Sequence, residues 1–493
     1  MVHIDTILNG VKYLNYCHAL NNHSIPVNFK LGVATASYQI EGGWNEDGKG
    51  ENLWDWYTHT YPEKIRNNST GDVACDSYHK WKEDVELLKN LGVNHYRMSI
   101  SWSRVLPNGT INNINQKGLD YYLNIFKALK ENNIEPVVTL YHWDLPIYMH
   151  ELGGWYNPLI SDYFADYARL CFQTFGKYVQ TWITLNEPQS TCHGGYAEGG
   201  IAPGYKHIGE GLYQCAYVHL LAHAKAFHIY DQEFRKEQKG RISIVIDFPW
   251  AEPASGNDSD LYAAQMERDF VLGIYANPIY LGNWPDSVIS MVEQRSYLEG
   301  FSKSRLPVLT QEEIIFINGT SDFFSLNTYS TNYISLQNAV NESIGEPSYY
   351  LDKGTLASFD PAWPSEVSWI RSVPWGFRKL LKYVYEHFNY PEIFVTENGW
   401  ADLNGRLNDT ERISYISEYL SALLEAYYED GVNVIGYTVW SFIDNFEWAN
   451  GYTQKLGLVQ VDFESNNRTR TPKDSYRWYQ KVIANRCLID KCV

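Results

Sequence analysis

Ile393-Phe394-Val395-Thr396-Glu397-Asn398-Gly399-Trp400 decides how this chain is read. A short apolar run, β-branched and aromatic, stops at a carboxylate and a glycine turn. That pattern reads as a core strand of a parallel sheet delivering Glu397 to its end. Acidic groups at the C-terminal ends of such strands are where barrel enzymes keep their chemistry. A second stretch repeats the pattern: Trp182-Ile183-Thr184-Leu185 runs into Asn186, Glu187 and Pro188. Two strand-end glutamates suggest a carboxylate pair.

Outward from these two stretches, strands are expected over 31–34, 95–100, 136–141, 182–187, 241–246, 322–326, 393–397 and 434–439. Helical periodicity falls between them, over 78–90, 117–132, 162–175, 211–236, 375–388 and 410–428. The regular alternation predicts an α/β fold, a single (β/α)8 barrel with long βα loops spanning 26–485. An N-terminal arm over 1–25 and a tail over 486–493 complete the chain. The longest loops, 42–76, 189–210 and 330–372, all follow strands. A doubly wound open sheet would want a Gly-x-Gly-x-x-Gly loop after an early strand, and the sequence has none.

Composition narrows the function. A formal charge of -18 and a pI near 5.2 argue against nucleic acid or an anionic membrane as partner. No apolar run reaches the roughly 18 residues of a membrane span. An uncharged small molecule is the expected ligand. The 17 Trp and 39 Tyr among 493 residues imply a large aromatic core, sugar-stacking platforms, or both. Seven cysteines cannot all pair within one chain, and none forms a Cys-x-x-Cys array, so no metal and no cofactor are expected. Cys487 and Cys492 could close a small loop. Acceptor triplets for N-glycosylation at Asn22, Asn67, Asn68, Asn108, Asn257, Asn318, Asn341, Asn408 and Asn467 point to a secreted or lumenal protein. Residues 1–30 show no clear signal-peptide pattern, which keeps an intracellular location open.

Several polar residues stand where a barrel mouth would be. Gln39 offers a donor and an acceptor, which suits a pair of sugar hydroxyls. Arg97 lies inside the second strand and must find a carboxylate there, because burying it unpaired is costly; Glu397 is the expected partner. His142 has no second histidine at ligand spacing and reads as a hydrogen-bonding group for substrate.

The set Tyr38-Gln39-Ile40-Glu41-Gly42, Tyr96-Arg97-Met98-Ser99-Ile100-Ser101-Trp102, His142-Trp143-Asp144-Leu145-Pro146, Thr184-Leu185-Asn186-Glu187-Pro188, Asn327-Thr328-Tyr329, Thr396-Glu397-Asn398-Gly399 and Asn445-Phe446-Glu447-Trp448 resembles the family 1 glycoside hydrolases. The wording is most similar to the insect β-glucosidase and myrosinase branch. The resemblance implies retaining hydrolysis of β-D-glucosides, with Glu397 as nucleophile and Glu187 as acid/base. It further implies a sugar-binding set of Gln39, His142, Asn186, Glu447 and Trp448, with Trp440 as the platform. Arg97, Asn327 and Tyr329 match groups that hold the nucleophile, and Trp369 matches an aglycone-stacking ring. Met98 and Thr328 depart from the usual Phe and His or Tyr, which touches fine specificity. A carboxylate at Glu447 should repel a sugar 6-phosphate.

Two other functions share these residues. A thioglucosidase acting on glucosinolates could keep Glu187, but a sulfated aglycone would want cations near His193 or Asn332, and neither is Lys or Arg. A non-catalytic glycan-binding protein on the same barrel would be expected to lose a glutamate. The oligomer is expected to be no larger than a homodimer, with a monomer equally compatible.

Overall fold

The computed structural model describes residues 20–337 and 346–492. Most of the expected N-terminal arm, with Cys17 and Asn341, lies outside the described residues. Eight strands form the barrel: β1 (Lys30–Ala34), β2 (His95–Ser99), β3 (Glu135–Tyr141), β4 (Thr181–Asn186), β5 (Arg241–Asp247), β6 (Phe324–Asn327), β7 (Ile393–Asn398) and β8 (Val434–Trp440). They pair in chain order, all parallel, and β8 closes on β1. Going round the ring, β5 stands across the mouth from β1.

The period-2 pattern of the strands explains how the barrel is filled. Val137 of β3, Ile183 of β4, Val245 of β5 and Phe394 of β7 meet inside it with Phe323, which precedes β6, so the interior is packed core and not a pore. The opposite faces pack under the helices α1 (Ser77–Leu91), α2 (Gln116–Glu131), α3 (Ile160–Phe175), α4 (Gly211–Ile229), α5 (Pro374–His387), α6 (Thr410–Tyr428) and α7 (Asp474–Asn485). In α3, for example, Ile160, Phe164, Tyr167, Cys171 and Phe175 recur at steps of three and four and are fully buried. Helix α1 ends at Gly92, whose φ of 82° is the left-handed turn that lets the chain double back into β2.

The structure departs from the sequence reading in three places. The helix expected over 211–236 gives way to a π-helical turn at Tyr230–Phe234. The sixth strand starts and ends later than expected and takes in Asn327. The long mouth loops are not bare: Trp250–Pro253, Thr331–Leu336 and Thr355–Ser358 form a three-stranded sheet that ties the segment after β5 to the one after β6. These strands are too short and too polar on their outward faces to show a period-2 signal.

The cysteines also resolve. Cys487 pairs with Cys492, and a second bridge joins Cys192, just after β4, to Cys215 on α4. Cys75 and Cys171 are free and buried. No helix among the described residues is long and apolar enough to cross a membrane.

Candidate active site

Arg97 organises the barrel mouth. It stands mid-strand in β2 and is 1% exposed. Its Nη1 donates to Glu397 Oε1 at 2.5 Å and to the Thr396 carbonyl at 3.2 Å. Its Nη2 donates to Asn186 Oδ1 at 2.5 Å and its Nε to Thr139 Oγ1 at 3.2 Å. A guanidinium with every nitrogen so engaged can stay charged inside a core. Tyr329 supplies the other oxygen of Glu397, its hydroxyl donating to Oε2 at 2.6 Å. Burial holds the Tyr329 phenol well above its ordinary pKa, so it remains a donor.

Glu187 is held differently. It follows β4 with φ 46° and ψ 62°, a left-handed backbone that a non-glycine residue rarely adopts, and its N–H donates to the Val245 carbonyl of β5 at 3.1 Å. Pro188 then starts a new turn, fixing where the strand stops. The resemblance put Asn327 on Glu397. Asn327 does act on Glu397 through a side-chain hydrogen bond that lowers its pKa, and its amide nitrogen also donates to Glu187 Oε1 at 2.7 Å and to Asn186 Oδ1 at 3.2 Å, while its Oδ1 accepts from Thr396 Oγ1 at 2.8 Å. Asn327 therefore ties the two glutamate-bearing strands together.

The electrostatics separate the two glutamates. Burial raises Glu187 well above the usual carboxylate range, and the nearby charges of Asp247 and then Glu397 raise it further. Burial leaves Glu397 raised as well, though Arg97 and the Tyr329 hydroxyl offset part of the rise. Of the pair, Glu187 is the one that keeps a proton. Glu447 is pushed up to about 8 by burial and by Glu397.

These residues surround a cavity of about 360 Å³. On one side stand His142, Trp440, Glu447 and Trp448. His142 stacks on Trp440 at 5.7 Å and on Trp448 at 5.9 Å between ring centroids, and burial keeps its imidazole neutral. From the segments after β4, β5 and β6, which lie across the ring from β1 and β8, come Ser190, Ile201, Asp247, Phe248, Pro249 and Trp369. Trp369 is 36% exposed, donates to Gln454 Oε1 at 2.9 Å and meets Tyr329 edge-on. Among the described residues no lysine or arginine lines this cavity.

Gln39 and Asn186 sit behind the wall. Gln39 rides a single helical turn, Ser37–Ile40, pinned by Ser37 Oγ donating to Asp144 Oδ2 at 2.8 Å. Its amide nitrogen donates to Asn445 Oδ1 at 3.0 Å and to the Phe446 carbonyl at 2.8 Å, and approaches Glu447 Oε2 at 3.4 Å. Asn186, 1% exposed, bridges Arg97 to His142, its Nδ2 lying 3.1 Å from the ring Nε2.

Among the residues of this site to which sequence reasoning gave no role are Asp247, Ser190 and Trp143. Asp247 ends β5 as the glutamates end β4 and β7, so the same strand-end rule could have found it. Ser190 donates to Asp247 Oδ2 at 2.7 Å. Trp143, at φ 75°, donates from its indole to the Asn186 carbonyl at 3.0 Å. Neither of these last two carries a signal in its local sequence.

A model of glycosyl hydrolase family 1 matches residues 21–487. The chain belongs to glycosyl hydrolase family 1. Within the family it is 45% identical to Myrosinase 1 of Brevicoryne brassicae over 466 residues, 94% of this chain and 99% of that one. It is 44% identical to human cytosolic beta-glucosidase, covering 94% of this chain and 98% of the relative. Among solved structures, a rice beta-glucosidase mutant in a covalent complex with glucose superposes with a TM-score of 0.88 at 37% identity, covering 94% of this chain and 99% of that one. The family 1 hydrolase described here thus acts on glycosides, and its barrel is the family's.

Proposed function

We propose that this family 1 hydrolase is a retaining β-glucosidase that cleaves terminal β-D-glucosides of uncharged aglycones. The observation that carries the reading is the asymmetry of its two glutamates: Glu397 is bonded to Arg97 and Tyr329, which favour its anion, while burial and neighbouring charge favour the protonated form of Glu187. Retaining glycosidases use two carboxyl groups roughly 5 to 5.5 Å apart in these two states.

Glu397 attacks the anomeric carbon as Glu187 gives its proton to the leaving oxygen, so the aglycone departs as a neutral alcohol and a glycosyl ester forms on Glu397. Glu187, now a carboxylate, takes a proton from water, which attacks the anomeric carbon, displaces Glu397 and releases glucose with its configuration retained. His142, Glu447 and Gln39 would hold the outer sugar hydroxyls, Trp440 and Trp448 its apolar face. Asn186, polarised by Arg97, faces the 2-hydroxyl. The rice relative's covalent glucose complex supports a glycosyl-enzyme on this fold.

The myrosinase relative favours a second reading, cleavage of S-linked glucosinolates, since both glutamates serve there as well. A sulfated aglycone would lie in a cavity with four carboxyl groups and no cation among its lining residues, which weighs against it. His193 is turned away in a ring contact with Tyr349 and Tyr350. The deciding experiment is glucose release from cellobiose, an aryl β-glucoside and a glucosinolate measured side by side. Hydrolysis of the first two alone supports the O-glucosidase; selective turnover of the glucosinolate overturns it.

A further inference from the structure

Asp247 is the one carboxylate of the cavity that the double-displacement reading places against neither the sugar nor the reacting atoms; there it acts only through its charge on Glu187. It closes β5, and β5 stands across the barrel mouth from β1, whose following turn carries Gln39. The sugar side of the cavity comes from the loops after β1, β3 and β8; Asp247 belongs to the opposite wall, with Ser190, Phe248, Pro249 and Trp369. Since the acid/base must lie against the leaving oxygen, the space beyond Glu187 on that wall is where an aglycone goes.

The side chain is built to present charge. Oδ2 accepts the Ser190 hydroxyl at 2.7 Å, which fixes the carboxyl plane, and Oδ1 has no hydrogen-bond partner in the protein. None of the strongest influences on it is a lysine or arginine. An uncompensated carboxylate beside a poorly solvated cavity acts on any charge that enters, because the effective dielectric there is far below that of water. Its backbone is fixed on both sides, paired through Val245 to Asn186 of β4 and directly to Asn327 of β6, and the chain beyond it enters the three-stranded side sheet.

We propose that Asp247 is a specificity-determining residue, a charge gate on the aglycone wall that admits neutral and cationic aglycones and turns away anionic ones. The inference rests on the β-glucosidase reading and adds to it the class of aglycone. Oδ1 is buried in the wall, so the carboxylate acts through its charge: it favours an ammonium group on the aglycone and repels a carboxylate or sulfate placed there.

The test uses three phenyl β-D-glucosides bearing a para carboxymethyl, carbamoylmethyl or aminomethyl group, so that charge changes while shape and leaving-group acidity change little. At pH 7.5 the wild-type enzyme should hydrolyse the carboxylate with kcat/KM at least about tenfold below the amide, equivalent to about 1.4 kcal/mol. The ammonium compound should equal or exceed the amide. In Asp247→Asn the three should fall within about twofold of one another, whatever the variant's overall rate. Equal wild-type turnover of the carboxylate and the amide, or an unchanged ratio in Asp247→Asn, overturns the gate while leaving the glucosidase intact. Should that variant fail to fold, the wild-type ratio and Asp247→Ser decide the same point. If none of the glucosides is hydrolysed, the functional reading itself falls, and the dissociation constants of the same three compounds still report whether charge is selected at Asp247.

Discussion

The end of β4 and the end of β7 offer one residue type in two settings. Both strands are apolar runs inside the same barrel, and both hand a glutamate to the same cavity. At β7 the glutamate meets a guanidinium and a phenol; at β4 it meets one amide and, across a short gap in the ring, the carboxylate of Asp247. The first setting favours the anion and the second the acid. Identical side chains acquire opposite tasks from what the neighbouring strands bring, so the contrast breaks when either neighbourhood is altered.

The largest effect is expected at β7. Glu397→Ala should cut kcat by at least about 10,000-fold on every β-glucoside, as removal of a covalent nucleophile does, with the far-UV circular dichroism unchanged. Substantial residual turnover would end the assignment of roles. At β4 the loss depends on the substrate. Glu187→Gln should slow cellobiose by about 100- to 10,000-fold but cost far less in the release of a nitrophenolate, which leaves without a proton. Equal losses on both would mean that Glu187 is no acid.

The pH profile sharpens the same contrast. Glu187 must hold a proton for the first step, and its pKa is raised, so the alkaline limb of kcat/KM should lie above the ordinary carboxylate range. Glu187→Gln, assayed with the nitrophenyl glucoside, should lose that limb; if the limb persists, it belongs to Glu447, itself pushed up to about 8. Glu397 must be ionised, and the Tyr329 hydroxyl lowers its pKa. Tyr329→Phe removes that bond, so the acidic limb should move to higher pH, with kcat/KM down by about 10- to 100-fold.

The smallest catalytic effect is expected from the bridge that anchors the segment after β4. Replacing Cys192 and Cys215 together by Ser opens a link between positions 23 apart and should lower unfolding stability by about 3 kcal/mol, read from the denaturant midpoint. Turnover of an aryl glucoside should change only a few-fold. A loss as large as that of Glu187→Gln would make the bridge part of how the acid is held.

Much of this was legible in the sequence, because strand ends announce themselves. Eight apolar runs with polar stops gave the barrel, and an arginine buried in a strand had to find a carboxylate, which is Glu397. The side chains that face each other across the mouth were less so. Asn327 was placed with Glu397 and also bonds Glu187, which the sequence did not show, since register between strands is a property of the closed ring and not of any one run. Gln39 and Asn186 were named, but the partners that orient their amides, Asn445 and Phe446 for the first and Arg97 and His142 for the second, come from other strands and the segments after them. Asp247 carried the right signal and was passed over. The Cys192–Cys215 pair left no trace, since the two lie on unrelated elements whose packing alone brings them together.

The side sheet of Trp250–Pro253, Thr331–Leu336 and Thr355–Ser358 gives the aglycone wall a modular character. Backbone pairing couples the segments that carry Asp247, Tyr329 and the approach to Trp369, so an exchange of one segment from a relative leaves its partners' amides and carbonyls unmatched. Grafting another enzyme's leaving-group preference onto this barrel therefore means moving all three strands as one block, while the sugar side can be left untouched.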